Sequence, residues 1–91
     1  MATQGTATID FGSTPVDTGS FNIVDASLSG LTYAEAWVMQ GSTATNNATH
    51  HQMANSLMSL TCAISGTTLN IIADSIDGLV TGQFSIRYVA N

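Results

Sequence analysis

Residues 55–74 read NSLMSLTCAISGTTLNIIAD and contain the clearest indication of the fold class. Apolar residues alternate with polar ones on both sides of a short turn, first at Met58, Leu60, Cys62 and Ile64 and then at Leu69, Ile71 and Ala73. Because side chains alternate between the two faces of a strand, this spacing predicts strands over 55–64 and 68–74. Ser65-Gly66-Thr67 between them predicts a tight hairpin, with Gly66 supplying the positive φ that such turns often need.

The same alternation occurs on either side of this hairpin. It predicts further strands over Thr6–Phe11, Phe21–Val24, Leu31–Gln40 and Gln83–Val89. Strands at roughly ten-residue spacing, with no convincing helix between them, are typical of all-β domains. We therefore expect a single antiparallel β-sandwich or small barrel of six or seven strands. It would span residues 1–91 as one domain, with residues 1–6 as a possible N-terminal arm.

Two segments require a choice between structures. YAEAWVM at 33–39 is rich in Ala, Glu and Met and competes as a helix, but its aromatic and β-branched members favour a strand. As a strand, it has Tyr33, Glu35 and Trp37 on one face and smaller apolar residues on the other. Residues 41–52 form the longest polar stretch, and we interpret them as a loop.

The composition excludes several classes of function. Charged residues make up 8% of the chain, the net charge is −5, and Arg87 is the only lysine or arginine. A basic nucleic-acid footprint and a polybasic membrane anchor are therefore both excluded. The N-terminus lacks the features of a signal peptide, and no apolar run approaches the ~20 residues of a membrane span. We expect a complete short reading frame that is translated in a cytoplasm and binds neither nucleic acid nor membrane.

No motif indicates catalysis, a cofactor or a metal site. Cys62 is the only cysteine and lies in an apolar context, which predicts a small buried hydrophobe. His50 and His51 are adjacent, so in an extended chain they point to opposite sides and chelate one ion poorly. We expect a solvent-facing loop pair, with an interface role, or a metal shared between copies, as the alternatives. No GxSxG elbow is present, and the sequence predicts no enzyme.

Three residues in predicted strands are candidates for an interface. Glu35 and Arg87 both lie in mid-strand, where a lone charge is costly unless it is paired. They could pair across strands or between subunits, or both could point into water. Trp37 is expected to fill a core or an interface rather than to stack on a sugar.

Four segments carry a family resemblance. They are ATIDFG at 7–12, YAEAWVM at 33–39, a polar loop that ends in His50-His51, and GQFSIRYV at 82–89. In this order they resemble small structural proteins, or terminal domains, of tailed bacteriophages, whose pattern is ATxDFG, VEAWI, a polar loop and GxFxVRW. The resemblance covers nearly the whole chain. It departs at the loop, which is rich in Asn and Thr instead of acidic.

The resemblance implies a compact β-sandwich that is part of a virion. Such domains serve as capsid decoration (cement) proteins or as pieces of tails and fibres. Decoration is favoured because these proteins typically act as trimers, and a chain without lysine leaves its sheet edges unguarded unless copies cover them. The expected partners are further copies of the chain, as a homotrimer, and the major capsid protein or another virion protein.

Two groups of residues are the candidate contacts for these roles. For a decoration protein they are the interface residues Tyr33, Glu35, Trp37, Arg87 and Tyr88. The alternative is a tail or fibre component with a lectin-like sandwich that binds a host carbohydrate. In that case the contacts, for a glycan or an interface, are Asn46, Asn47, His50 and His51.

Overall fold

The computed structural model describes residues 3–76 and 78–91, which form six strands and one α-helix. In chain order the strands are β1 (Thr3–Asp10), β2 (Thr18–Val24), β3 (Ala34–Val38), β4 (Met58–Ser65), β5 (Thr68–Ser75) and β6 (Gln83–Ala90). A 3-10 turn (Ala26–Leu28) precedes β3, and helix α1 (Ala48–Leu57) precedes β4. All strand pairs are antiparallel: sheet I has the order β1-β6-β3 and sheet II the order β2-β5-β4. The predicted β-rich architecture is confirmed.

The hydrophobic core contains residues from both sheets. The middle strands contribute most of it, because their inward side chains are covered from both sides. The buried apolar residues are Ile9, Leu28, Val38, Ala54, Met58, Leu69, Ile71, Ala73, Phe84, Ile86, Tyr88 and Ala90. The inward residues of β5 and β6 follow the period of two that the sequence shows.

The hairpin of β4 and β5 matches its prediction closely. Ser65 pairs with Thr68 and Met58 with Ser75, so Gly66 and Thr67 form the connecting loop. Gly66 has a φ of 63°, in the region that glycine adopts without steric cost. The alternation of apolar residues and the turn residue therefore set the same register.

The prediction of a loop over 41–52 holds for residues 41–47 but was wrong for 48–52, and the strand predicted from residue 55 begins later. Helix α1 occupies Ala48–Leu57, and β4 begins only at Met58. Asn47 starts the helix, because its side chain accepts the backbone N–H of His50 at 2.9 Å. His50 Nδ1 in turn accepts the backbone N–H of Asn47 at 3.1 Å, which completes a capping box.

Strand β3 confirms the choice of a strand over a helix for this segment. It is shorter than the predicted range of 31–40, and it pairs with β6 from Ala34↔Ala90 to Val38↔Ile86. Val38 is buried, whereas Glu35 and Trp37 lie on the opposite, exposed face. The two faces meet different surroundings, as the alternation predicts.

The predicted N-terminal arm is not a separate element over residues 3–6. These residues belong to β1, which pairs with β6 over its full length from Thr3↔Ala90 to Asp10↔Gln83. An eight-residue β6 offers backbone partners to all of β1, so pairing satisfies groups that a free arm would leave to water. Residues 1 and 2 of the predicted arm lie outside the described residues.

The helix cap gives a stability prediction. Asn47→Ala removes the acceptor for the His50 N–H, so we expect the free energy of unfolding to fall by about 1 kcal/mol in urea denaturation. Asn47→Asp keeps an acceptor oxygen and should remain within a few tenths of a kcal/mol of the wild type. Equal losses for the two variants would contradict the capping role.

Candidate interaction surface

Four of the five predicted interface residues lie on the outer face of sheet I. We call Tyr33, Glu35, Trp37, Arg87 and Val89 the aromatic face. Arg87 and Val89 of β6 lie directly opposite Trp37 and Glu35 of β3, and Tyr33 immediately precedes β3. Tyr33 is 76% exposed and Trp37 is 37% exposed. The surface thus combines two accessible aromatic side chains with the only lysine or arginine of the chain.

Glu35 and Arg87 do not form an ion pair within the described chain. The Arg87 guanidinium donates instead to Oε1 of Gln4, on the β1 side of β6. Arg87 lies directly opposite both Thr6 and Trp37, so Gln4 and Glu35 are its diagonal neighbours on opposite sides. The guanidinium turns toward the amide, and the exposed Glu35 carboxylate remains on the aromatic face.

Tyr88, the fifth predicted interface residue, is not on this surface. Its side chain points into the core, is 4% exposed, and donates its hydroxyl to Asp25 Oδ2 at 2.6 Å. Hydrogen bonds from Tyr88 and Ser27 lower the pKa of the Asp25 carboxyl. Burial, together with this bond and the Asp25 charge, raises the pKa of Tyr88 to about 12.

Two further residues make the Tyr88 bond possible, and neither was among the candidates predicted from the sequence. Asp25 begins the 3-10 turn and accepts the Ser27 N–H at 3.0 Å, a role that an Asp two residues before a Ser can signal. Gly5 lies opposite Tyr88 in β1, and a Cβ at this position would overlap the Tyr88 ring. The tyrosine therefore crosses β1 only because residue 5 has no side chain.

The polar residues of the predicted glycan site are bound to the chain itself. Asn47 and His50 cap helix α1. His51 is completely buried, and its Nε2 accepts the Ser85 backbone N–H at 2.9 Å. Since Nε2 is the acceptor, the ring proton of a neutral imidazole is on Nδ1, which donates to Asn47 O at 2.9 Å.

Asn46 and two threonines, like His51, bond their side chains to backbone groups at the start of β6. Asn46 Nδ2 donates to the carbonyl oxygens of Thr81 and Gln83, both at 3.0 Å. Thr43 Oγ1 also donates to Gln83 O at 2.9 Å, and Thr45 Oγ1 accepts the Gln83 N–H at 2.8 Å. We call Thr43, Thr45, Asn46 and His51 the side-chain cap of β6.

The side-chain cap replaces a missing stretch of strand. The last β3-side backbone bond to β6 runs from Met39 N to Ser85 O, at 3.0 Å. Beyond it, Ser85 N–H and both backbone groups of Gln83 face the place where β3 would continue. The cap side chains satisfy these groups, so the amides and the His51 ring are already engaged.

Two of the surface grooves in the described chain lie beside these features. One, of about 510 Å³, is lined by residues that include Tyr33, Glu35, Cys62 and Val89. Burial and the Glu35 charge raise the pKa of the Cys62 thiol, which favours its neutral form. The other, of about 290 Å³, has Asn46 and His50 in its lining beside exposed Met53 and Leu79. Neither groove brings Tyr33 or Trp37 together with Asn46, Asn47, His50 or His51.

Among residues 3–76 and 78–91, no three His, Cys, Asp or Glu side chains are grouped so that they could hold a metal ion. The helix in the described chain is too short to cross a membrane.

Comparison with protein-family models, with curated proteins and with solved structures yields no match to this chain.

The Tyr88–Asp25 bond predicts how stability depends on pH. The folded-state pKa of Asp25 is lowered, so its contribution is present above the unfolded value near 3.9 and is lost as the pH falls below it. The folded-state pKa of Tyr88 is raised, so its contribution is complete below about pH 10 and is lost as the pH rises toward 12.

Urea denaturation across this pH range, for wild type, Tyr88→Phe and Asp25→Asn, measures both effects. Both variants should lose the acid-side dependence that the pair contributes. In a Tyr33→Phe background, phenolate absorbance reports Tyr88 alone and should rise near pH 12. A wild-type acid profile in Asp25→Asn would show that the bond contributes nothing to it.

The buried imidazole provides a third stability prediction. His51→Ala leaves the Ser85 N–H without its acceptor and opens space beside Phe84, whose ring lies 5.2 Å from the imidazole. We expect a loss of about 2–4 kcal/mol in the free energy of unfolding. The adjacent control His50→Ala should lower the free energy of unfolding by about 1 kcal/mol, since His50 is exposed and contributes only to the N-terminal capping box of helix α1. Similar losses at the two positions would refute the special role of His51.

Proposed function

We propose that the protein is a structural component of a tailed-bacteriophage virion, a capsid decoration protein that binds the head shell as a homotrimer. Its two sheets would form a β-sandwich around the shared core. The ordered motifs from ATIDFG to GQFSIRYV support the family. The aromatic face supports binding to another protein, and it is the observation on which the proposal depends.

The aromatic face has the chemistry of a protein-binding surface. Aromatic residues and arginine are enriched among the residues that dominate binding energy, while lysine is depleted at interfaces. Here Tyr33, Trp37 and Arg87 share one side of sheet I, and Arg87 is held by Gln4 in place of an internal ion pair. Glu35 is left available for a partner group.

The function would be thermodynamic. A protein that binds assembled shells, and not free subunits, stabilises the shell by mass action. A trimer that contacts several capsid subunits at once would multiply a modest affinity at each contact.

The alternative, a lectin-like tail or fibre component, has less support. It needs Asn46, Asn47, His50 and His51 to contact sugar hydroxyl groups. Asn46 and His51 are bonded to β6, and Asn47 and His50 are bonded to each other at the helix cap. Withdrawing His51 would leave the Ser85 N–H of β6 without its acceptor, and withdrawing Asn46 would remove its bonds to Thr81 O and Gln83 O.

Co-sedimentation with empty capsid shells tests the proposal. The wild type should saturate the shells. Trp37→Ala should bind at least ten-fold more weakly, since truncating an aromatic anchor costs more than about 1.4 kcal/mol. The matched control is Ile72→Ala, which trims a side chain 43% exposed on the outer face of sheet II.

Two results would overturn the proposal. One is a folded protein that does not sediment with shells at any concentration. The other is a glycan array on which the wild type binds a carbohydrate and the variants Asn46→Ala and His50→Ala do not, because that pattern belongs to the lectin alternative.

A further inference from the structure

Within residues 3–76 and 78–91, strands β1 and β2 each have one edge without a strand partner. In an antiparallel ladder, successive residues point their backbone groups to opposite sides. Phe11 N donates to Gly82 O at 2.9 Å, so the backbone groups of the odd-numbered residues of β1 point toward β6. The backbone groups of Gln4, Thr6 and Thr8 therefore point to the open edge. Ser75 N donates to Asp17 O at 2.9 Å, which in the same way leaves Ser20, Asn22 and Val24 of β2 outward.

These two edges lack the usual protection against pairing. Natural edge strands carry lysine, proline or inward charges. Within β1 the only charged residue is Asp10, at its last position, and β2 has none. Val24 of β2 is 76% exposed. The other two edge strands, β3 and β4, lie next to each other, and Asn55 Nδ2 donates to Val38 O of β3 at 2.7 Å.

Side-chain contacts show how β1 and β2 run relative to each other. Thr3 Oγ1 and Ser27 Oγ are 3.0 Å apart just beyond the end of β2, and Tyr88 crosses Gly5 to reach Asp25.

At the other end of the two strands, the rings of Phe11 and Phe21 are 5.2 Å apart. A Cβ on Gly19 would lie 3.1 Å from the Phe11 ring. The strands are therefore antiparallel to each other, with Thr3 level with Ser27, Gly5 with Asp25 and Phe11 with Gly19.

We propose that β1 of one copy pairs with β2 of a neighbouring copy, so that sheet I of one continues into sheet II of the next. Rotation about an axis parallel to the strands preserves both direction and level, so the two strands meet antiparallel. The level inferred from these side-chain contacts within one copy pairs Thr6 with Val24, Thr8 with Asn22 and Asp10 with Ser20. The resulting sheet has six strands and the order β3-β6-β1-β2-β5-β4.

Three features identify the occupant as a second copy. Each pair joins two residues whose backbone groups point to the open edge, whereas a register shifted by one residue would pair such a residue with one whose backbone groups point inward. The lengths match at eight and seven residues, and Asp10 faces a serine instead of another acid. Each copy offers one edge of each kind, so a closed ring leaves neither edge open. The inference deepens the proposed function, whose trimer is one such ring, and rests on the self-association it requires.

Cysteine cross-linking of the isolated protein tests the register. Thr8→Cys with Asn22→Cys, in a Cys62→Ala background, should give disulfide-linked dimers and larger species on oxidation. Directly opposed residues in such a pair have Cα atoms about 5.5 Å apart, within disulfide range. Thr6→Cys with Asn22→Cys is the matched control; it is out of register and should link far less.

Edge charges test the assembly itself. Thr8→Lys with Asn22→Lys places two ammonium groups face to face and should make the protein monomeric in sedimentation at concentrations where the wild type is assembled. The control Thr61→Lys with Ala63→Lys makes the same charge change on exposed positions of β4 and should stay assembled. Since each copy carries −5, added salt should strengthen wild-type association.

Several outcomes would overturn the inference. They are a wild type that is monomeric at all concentrations, cross-linking of Thr8→Cys alone, which indicates β1 pairing with β1, and equal linking of the control pair. If the lysine variants do not fold, the cysteine variants decide. No shells are present, so failure here is distinct from failure to sediment with capsids.

Discussion

The fold depends on completing β6 beyond the point where β3 ends. β6 is the middle strand of sheet I, so its backbone groups need partners on both sides. β1 supplies one side in full, but β3 pairs only as far as Val38↔Ile86. The side-chain cap supplies the remainder, and His51 does so from within a helix. This requirement explains why the segment is rich in Asn and Thr, whose uncharged side chains can donate to or accept from backbone groups.

The other end of β6 is held by a second polar bond. The Tyr88 side chain crosses Gly5 and donates to Asp25, which also starts the 3-10 turn after β2. The Asp25 carboxylate therefore connects β6 of sheet I to the segment that follows β2 of sheet II. The polar groups of the side-chain cap and of the Tyr88–Asp25 pair thus stabilise the fold. The side chains of Tyr33, Glu35 and Trp37 make no comparable hydrogen bond within the described residues. This division is why the aromatic face is the better candidate for binding than the polar loop.

Local patterns allowed the strands to be predicted but not the helix. The period of two in β4, β5 and β6 reflects burial of one face of each strand, so the same constraint recurs at every second residue. Helix α1 shows no comparable stripe, since His51 and Ala54 are its buried residues. Its start signal was present as Asn47 followed by His50, but with histidine where glutamate or glutamine is usual. The failure of the loop prediction also displaced the start of β4 from Met58 to Asn55.

Local periodicity, a turn residue and composition were enough to predict the strands, the hairpin at Gly66 and the low content of charged side chains. Which polar side chains are bonded within the fold depends on contacts that form only when the chain has folded. His51 and Asn46 could not be told from solvent-facing residues, because their partners Ser85 and Gln83 lie more than thirty residues away in the chain. Tyr88 has the same alternation as its neighbours, yet its hydroxyl partner Asp25 is 63 positions distant. Bonds that close over such separations exist only once the sheets have formed.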